Sequence, residues 1–477
     1  MGIHVAAIDL GATSGRVMRA VVDAERVELV EVARFPNGPV TRADGLHWDT
    51  GALRAHIMNG LRRAFDQDPA ITSIGIDSWA VDYALLSNGR ELGEPFHYRD
   101  ERTTRGVAAV HAHIAPDELY RITGLQHLPF NTVFQLAAER ERLAQADRML
   151  LIPDLVTFWL TGRQVTEVTN ASTTGLLDPH TRQWNDALIE QLGLPRSLFA
   201  PLVTPGDDLG PLLPEIVAEV GAPSGVRVTA VGSHDTASAV VAVPMVDDGA
   251  AYISCGTWGL VGLELDEPIL TAEARDANIT NEGGVDGRVR FLRNVTGLWL
   301  LSETIRQWEA QGSRIDLPTL LADATAVTES VPIFAANDPR LLAPGRMASR
   351  IAELIAETGR PFPASQAAFT RAIIASLAQA FADTLTVVAR TAGRDIEMIH
   401  LVGGGSLNAL LCQLLAERTG LTVTAGPAEA TAMGNVLVQA RAVGSGVTGA
   451  TLDELRQLVT RTVVPVVFHP GSAASTA

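Results

Sequence analysis

The chain has no lysine: all 37 of its basic residues are arginine. This excludes the lysine of a Walker A loop, the strand lysine of protein kinases and the Schiff-base lysine of pyridoxal enzymes. Any phosphate chemistry has to use backbone N–H groups, hydroxyls, arginine or a metal ion. Cysteine is nearly absent. Cys255 and Cys412 cannot build a disulfide framework, and their spacing is not that of a metal site. There is no excess of positive charge either. With 54 acidic against 37 basic residues the net charge is −17, which argues against nucleic acid or an anionic membrane surface as partner. No run of 18 apolar residues suggests a membrane span. The opening MGIHVAAIDLGATSGR lacks the basic and apolar regions of a secretion signal. A cytoplasmic enzyme is the expectation, and the Asn-x-Ser/Thr triplets at Asn170, Asn278 and Asn294 read as chance.

At 477 residues two or more domains are expected, since one domain takes roughly 100–200 residues. HVAAIDL reads as a buried strand, Gly11–Gly15 as a turn, and the alternating VELVEVARF as a further strand. A strand therefore follows the first glycine turn, whereas a Rossmann or P-loop turn opens a helix. Residues 50–66 read as an amphipathic helix, ITSIGIDSWAVDYALL as one or two strands, and 102–220 as mostly helices and loops. VRVTAV (226–231) reads as a strand and Thr236–Val243 as a short helix ended by Pro244. AAYISCGTWGLVGLEL then repeats the opening theme of strand, small polar turn and strand. Residues 366–391 read as a long amphipathic helix. MIHLVGGGSLNALLCQLLAERTG reads as strand, glycine turn and helix, and GSAASTA after Pro470 as a disordered tail. The two hairpins, at 5–22 and 251–265, suggest a duplicated core in two domains of one α/β architecture.

Several of these segments carry candidate chemistry. A hairpin tip of small and hydroxyl-bearing residues, as at Ala12, Thr13 and Ser14, can wrap N–H groups around phosphate oxygens. Asp9 could hold a metal ion directly or through water, or cap its own turn. Arg16 is within reach of a phosphate or lies on the surface. Thr257 repeats the chemistry of the first tip. In VGSHDTASAV, Asp235 fits two roles, a helix N-cap or a general base at the mouth of a cleft, with His234 beside it for a substrate hydroxyl. The glycines of LVGGGSLN permit close approach of a ligand, but Asn408 breaks the dinucleotide pattern. Arg99, Asp100, Asp82 and Trp79 could line a sugar pocket or be ordinary surface and core.

Taken in order from residue 4 to about 445, DLGATSGR, GIDSWAVDYALL, YRDERT, GSHDTASAV, CGTWGLVG, TNEGG, NVTGLWLL, HLVGGGSLN and GPAEATAMGNVLVQ resemble the FGGY carbohydrate kinases. Within them they are most similar to the branch acting on L-rhamnulose. The resemblance implies an α/β fold of two actin-like (ribonuclease H-like) domains, 1–243 and 244–477, with ATP, Mg²⁺ and sugar in the cleft. It implies that Asp235 accepts the proton of the sugar hydroxyl. ATP would lie against Ala12, Thr13, Ser14, Gly15, Arg16, Thr257, Ser302 and Gly404, with Asp9 toward the metal. The GPAEATAMGNVLVQ segment would lie on the adenosine side. The sugar would lie against Ala80, His234, Asp235, Thr236 and Asn294. Two positions depart from the family: Ala80 stands where Gly is frequent, and Ser302 where Gln is expected. The implied reaction is phosphorylation of L-rhamnulose at O1 by a monomer or homodimer. An L-fuculose kinase or another FGGY sugar kinase is the near alternative. An actin-like ATPase without a sugar substrate is the distant one.

Overall fold

The computed structural model describes residues 2–245, 249–444 and 446–471. Residues 246–248 of the expected junction and 472–477 of the expected disordered tail lie outside the described residues. Contacts divide the chain into two compact units. The first is Met1–Pro244 with Glu264–Phe291 and Ala430–Thr462; the second is Met245–Leu263 with Leu292–Glu429 and Val463–Ala477.

In the first unit, β1 (Ile3–Leu10), β2 (Ser14–Val22) and β3 (Val27–Pro36) form an antiparallel meander. α1 (Thr50–Gln67) follows, then β4 (Ser73–Ser78), β5 (Asp208–Pro211) and β6 (Arg227–Thr229). The sheet order is β5-β6-β4-β1-β2-β3. β4 runs parallel to β1, and β6 parallel to β4. β1 is buried on both faces from Val5 onward, as a central strand flanked by parallel and antiparallel neighbours must be. α1 begins where Asp49 accepts from the Ala52 amide at 2.8 Å, an N-cap. It buries Leu53, Ile57, Leu61, Ala64 and Phe65, one stripe at helical spacing. The short helix α2 (Asp235–Val241) starts one residue earlier than the pattern predicts, because His234 and not Asp235 occupies the N-cap.

The second unit repeats this order. β7 (Ala250–Cys255) and β8 (Trp258–Leu265) form the hairpin, and β9 (Val289–Thr296) begins in the first unit, which holds it to Phe291, and continues in the second. α3 (Gln366–Ala392) precedes β10 (Met398–Val402), then come α4 (Ala409–Thr419), β11 (Thr422–Ala425) and, near the end, β12 (Val466–Phe468). The strands pair in the order β9-β8-β7-β10-β11-β12. β10 is parallel to β7, β11 parallel to β10, and β12 antiparallel to β11. The duplication suggested by the two hairpins is thus a duplicated sheet topology. α3 is long and apolar enough to cross a membrane by length and composition. Its Phe369, Ile373, Leu377, Phe381, Leu385 and Val388 are nevertheless buried within the protein, which makes it a core helix. Both cysteines are free and buried, and burial pushes each thiol up to about 12.

The helix α5 (Ala430–Val443) lies near the end of the chain. It belongs to the GPAEATAMGNVLVQ segment and packs in the first unit, against α2 and β1. Gly434 and Gly75 allow this. A Cβ on Gly434 would collide with the Ser238 carbonyl, and one on Gly75 would lie 2.6 Å from Gln439 Nε2.

Candidate active site

In the first unit three carboxylates gather around the ends of parallel strands. Asp9 and Asp77 are register partners on β1 and β4. Ser78, next along β4, donates its amide to Ser233 O at 2.9 Å and bridges to His234. This draws the start of α2, and with it Asp235, beside the pair. Both aspartates are buried. Burial raises the Asp9 carboxyl above its ordinary range, Arg16 opposes that shift, and Asp235 adds to it. Asp77 is pushed up further, by burial first and then by the charge of Asp9. Like charges this close disfavour simultaneous ionisation.

Each carboxylate has its own tether. Arg16 donates to Asp9 Oδ2 at 2.7 Å. Asn435 of α5 donates to Asp77 Oδ2 at 2.6 Å, while Asp77 Oδ1 is buried without a hydrogen-bond partner. At Asp235, Thr236 Oγ1 donates to Oδ1 at 3.1 Å, and His234 Nε2 lies 3.4 Å from the same oxygen. The Asp235 side chain remains 31% exposed, unlike its neighbours. Thr236 is buried and engaged with Asp235. Glu167 braces the turn into α2: it accepts from the Ser233 amide at 2.9 Å, the Ser233 hydroxyl at 2.8 Å and the Thr169 amide at 2.9 Å.

The hairpin tip beside Asp9 is open. The Gly11 amide bonds Ser14 O at 2.9 Å, and Asn37 braces the turn through Gly11 O and Thr13 O. Ala12 and Ser14 are partly exposed and Thr13 is exposed. Gly15 is buried in the β2 pairing, where a Cβ would collide with the Phe35 ring. Arg16 faces Asp9.

The second unit carries the matching turn. Gly256 and Thr257 form its tip, and Leu298 N and Gly297 N bond their carbonyls at 2.9 and 3.1 Å. Gly297 has to be glycine, since a Cβ would lie 2.6 Å from the Trp258 carbonyl carbon. Gly405 packs against Cys255 at the base of this hairpin, and Gly403 holds φ +77 above it. Gly404 is exposed with open space around it. The geometry therefore brings Thr257 and Gly404 to one end of β7 and β10. Asn408, where a third dinucleotide glycine would stand, instead caps α4 by accepting from Leu411 N at 3.0 Å. Ser302 is exposed on the helix Trp299–Ala310, and Asn294 is partly exposed on β9.

Ala80 is partly exposed in the turn after β4, beside Val81 at φ +68. A β-branched residue at such a φ is strained. The Val81 carbonyl is held there by Thr132 Oγ1 at 2.7 Å. Asp82 does not line an open pocket. It is buried, and it accepts from Trp48 Nε1 at 2.6 Å, Trp79 Nε1 at 3.1 Å, Tyr98 N at 3.2 Å and Gln135 Nε2 at 2.8 Å. Asp100 likewise accepts from Leu46 N and Arg102 N, at 2.8 and 3.0 Å. Sequence reasoning missed Asp77, Glu167, Glu282 and Arg290. Asp77 lies within GIDSWAVDY and Glu282 within TNEGG without a local sign of their roles, and Glu167 and Arg290 lie in neither segment.

Two open small-residue turns and a partly exposed aspartate beside buried carboxylates are the equipment of a phosphoryl transferase. Models of the FGGY family of carbohydrate kinases match the chain, the N-terminal domain over residues 4–242 and the C-terminal domain over 251–443. The chain belongs to the FGGY family of carbohydrate kinases and is a sugar kinase. Curated relatives include the rhamnulokinase of Bacteroides thetaiotaomicron, 38% identical over 98% of this chain and 96% of the relative. That of Pectobacterium atrosepticum is 41% identical over 93% and 88%. Among solved structures, gluconate kinase from Lactobacillus acidophilus aligns with a TM-score of 0.78 at 16% identity, covering 99% and 94%. Plasmodium falciparum glycerol kinase with ADP aligns at 0.75 and 16%, covering 98% and 94%. These two similarities establish the fold.

Proposed function

We propose that this sugar kinase transfers the γ-phosphoryl group of ATP to O1 of L-rhamnulose, with Asp235 as general base. The observation that carries the chemistry is the one partly exposed carboxylate of the acidic group, held by contacts on Oδ1. The choice of sugar rests on the rhamnulokinase relatives, which match nearly the whole chain. Asp235 takes the O1 proton as the O1–P bond forms and the bond between the γ-phosphorus and the bridging oxygen breaks, releasing ADP and L-rhamnulose 1-phosphate. Positioning and electrostatics supply most of the acceleration in such transfers. The turns at Ala12–Ser14 and Gly256–Thr257 offer N–H groups and hydroxyls to phosphate oxygens, and Gly404 leaves room for the nucleotide. His234, Thr236, Ala80 and Asn294 are the residues we assign to the sugar side.

Mg²⁺ fits the donors present. Asp9 and Asp77 offer oxygen ligands side by side, and the unpartnered Asp77 Oδ1 is the atom a cation would satisfy. Among the described residues no group of three or more His, Cys, Asp or Glu is arranged to hold a metal. That suits an ion bound through one or two carboxylates, waters and substrate phosphates. When bound, it would neutralise charge on the transferring phosphate. Two free buried cysteines suit a cytoplasmic setting.

The test is kcat/KM on L-rhamnulose, L-fuculose, D-xylulose and glycerol. L-Rhamnulose is expected to be best by a wide margin, since sites built to bond particular hydroxyls can reject a wrong analogue by about 10⁴-fold. Equal or better turnover of L-fuculose or glycerol would overturn the choice of sugar.

A further inference from the structure

We propose that Arg290 is a positioning residue: it fixes the tautomer of His234, so that Nε2–H faces Asp235 Oδ1 and leaves Oδ2 to take the acceptor proton. The inference rests on Asp235 acting as the base.

Arg290 lies at the start of β9 and its side chain is fully buried. Its Nε donates to Gly283 O at 2.9 Å, and one terminal nitrogen lies 3.1 Å from Glu282 Oε2. The other terminal nitrogen lies 2.9 Å from His234 Nδ1. A guanidinium has five N–H donors and no acceptor, and it does not lose its proton in proteins. A hydrogen bond between Arg290 and Nδ1 therefore requires Nδ1 to be the acceptor. The ring hydrogen then sits on Nε2, the atom 3.4 Å from Asp235 Oδ1. Glu282 Oε2 also faces Nδ1, at 3.4 Å, and would favour the opposite tautomer. The guanidinium is nearer and decides against it. Thr236 Oγ1 approaches the same Oδ1 at 3.1 Å, so the two donors converge on one carboxylate oxygen.

A buried arginine–glutamate pair needs no histidine for its own stability. Burying one is costly, and here the guanidinium directs a hydrogen bond to the ring beside the base. Which ring nitrogen carries the proton is set by the partner of the other, and the partner of Nδ1 is Arg290.

The direct test is a two-bond ¹H–¹⁵N spectrum of protein labelled at the histidine ring nitrogens, with His234 assigned by its loss in His234→Asn. The expected result is the Nε2–H pattern in the wild-type protein. In the double variant Arg290→Met with Glu282→Gln, which leaves no unpaired buried charge, His234 should lose that single-tautomer pattern. Its kcat should fall by about 10-fold or more, a fraction of the worth of a positioned base, with the KM for ATP unchanged. Arg290→Lys, which keeps the charge but not the fork, serves as a second variant if the double variant does not fold. An Nδ1–H pattern in the wild type, or a folded double variant with wild-type kcat, would overturn the proposal. The spectrum is read without substrate. An enzyme inactive on L-rhamnulose would count against the sugar assignment and leave the tautomer result standing.

Discussion

Asn435 donates its Nδ2 hydrogen to Asp77 Oδ2 at 2.6 Å, joining positions 358 residues apart in the chain. One turn further along α5, Gln439 Nε2 bonds Asn435 Oδ1 at 2.7 Å and the Ala6 carbonyl of β1 at 2.9 Å. A helix near the end of the chain thus orients a carboxylate at the end of β4 and grips the strand that carries Asp9. The acidic pair is positioned by residues that no local motif connects.

Asp77→Asn tests that pair. The substitution keeps an acceptor for Asn435 but removes a carboxyl group that a bound cation would hold in its charged form. The Mg²⁺ concentration giving half-maximal activity should rise by roughly tenfold or more, the scale on which groups around a metal tune its affinity. Activity titrated against Mg²⁺ measures it. An unchanged Mg²⁺ requirement would remove Asp77 from the metal site.

The close approach of α5 to α2 should be intolerant of a methyl group. A Cβ on Gly434 would collide with the Ser238 carbonyl oxygen and lie 2.7 Å from its carbon. Gly434→Ala should therefore destabilise the fold by about 1–3 kcal/mol, the usual cost of overpacking. It should also lower kcat, because Asp235 opens the displaced helix. Thermal denaturation beside steady-state kinetics reads both, and an unaltered Tm would mean the helices have room to spare.

The two turns should act on ATP and not on sugar. Thr13→Leu and Thr257→Leu each put a branched apolar side chain where a hydroxyl and open N–H groups stand. Each should raise the KM for ATP by about tenfold and leave the KM for sugar near wild type. A variant that loses sugar affinity with unchanged ATP KM would contradict the assignment.

Asp82 gives a pH signature. Burial raises its carboxyl to about 6, against four hydrogen bonds that pull it down. Between the ordinary aspartate value near 4 and 6, the native state holds a proton that the unfolded chain has released. The stability this group contributes is therefore present below pH 4 and lost as pH rises through 6, on the order of 3 kcal/mol in all. Asp82→Asn should remove that slope. It should also cost about 1–3 kcal/mol, because its amide would place a donor against one of the four donors. Urea unfolding at pH 4.5 and 7 for both proteins measures the difference.

Much of the fold was legible because its signals are local. The small polar tips at Gly11–Ser14 and Gly256–Thr257 read as hairpins because apolar strands follow them, and Leu53, Ile57 and Leu61 mark α1 by spacing alone. Asp235 was legible as a candidate but its local role was not. The N-cap falls on His234, one residue earlier, because the backbone turns at the Ser233 contact with Ser78. Asp77, Glu167 and Arg290 gave no local signal, since their partners lie across the chain at Asn435, Ser233 and His234. Asp82, with Trp79, could by sequence line a sugar pocket or belong to the core, and the structure puts it in the core. Trp48, Trp79, Gln135 and the Tyr98 amide point their N–H donors inward and consume the carboxylate.

The measurement that bears most directly on the whole account is the turnover of Asp235→Asn with ATP and L-rhamnulose. Asparagine keeps the shape and the Thr236 contact on Oδ1 but cannot take a proton. Since His234 supplies the N-cap position, the melting temperature should stay close to wild type. Turnover should fall by roughly 10²–10⁴-fold, the worth of a positioned base, with both substrates still bound. A folded Asp235→Asn enzyme with near-normal turnover would contradict the assignment of Asp235 as the base.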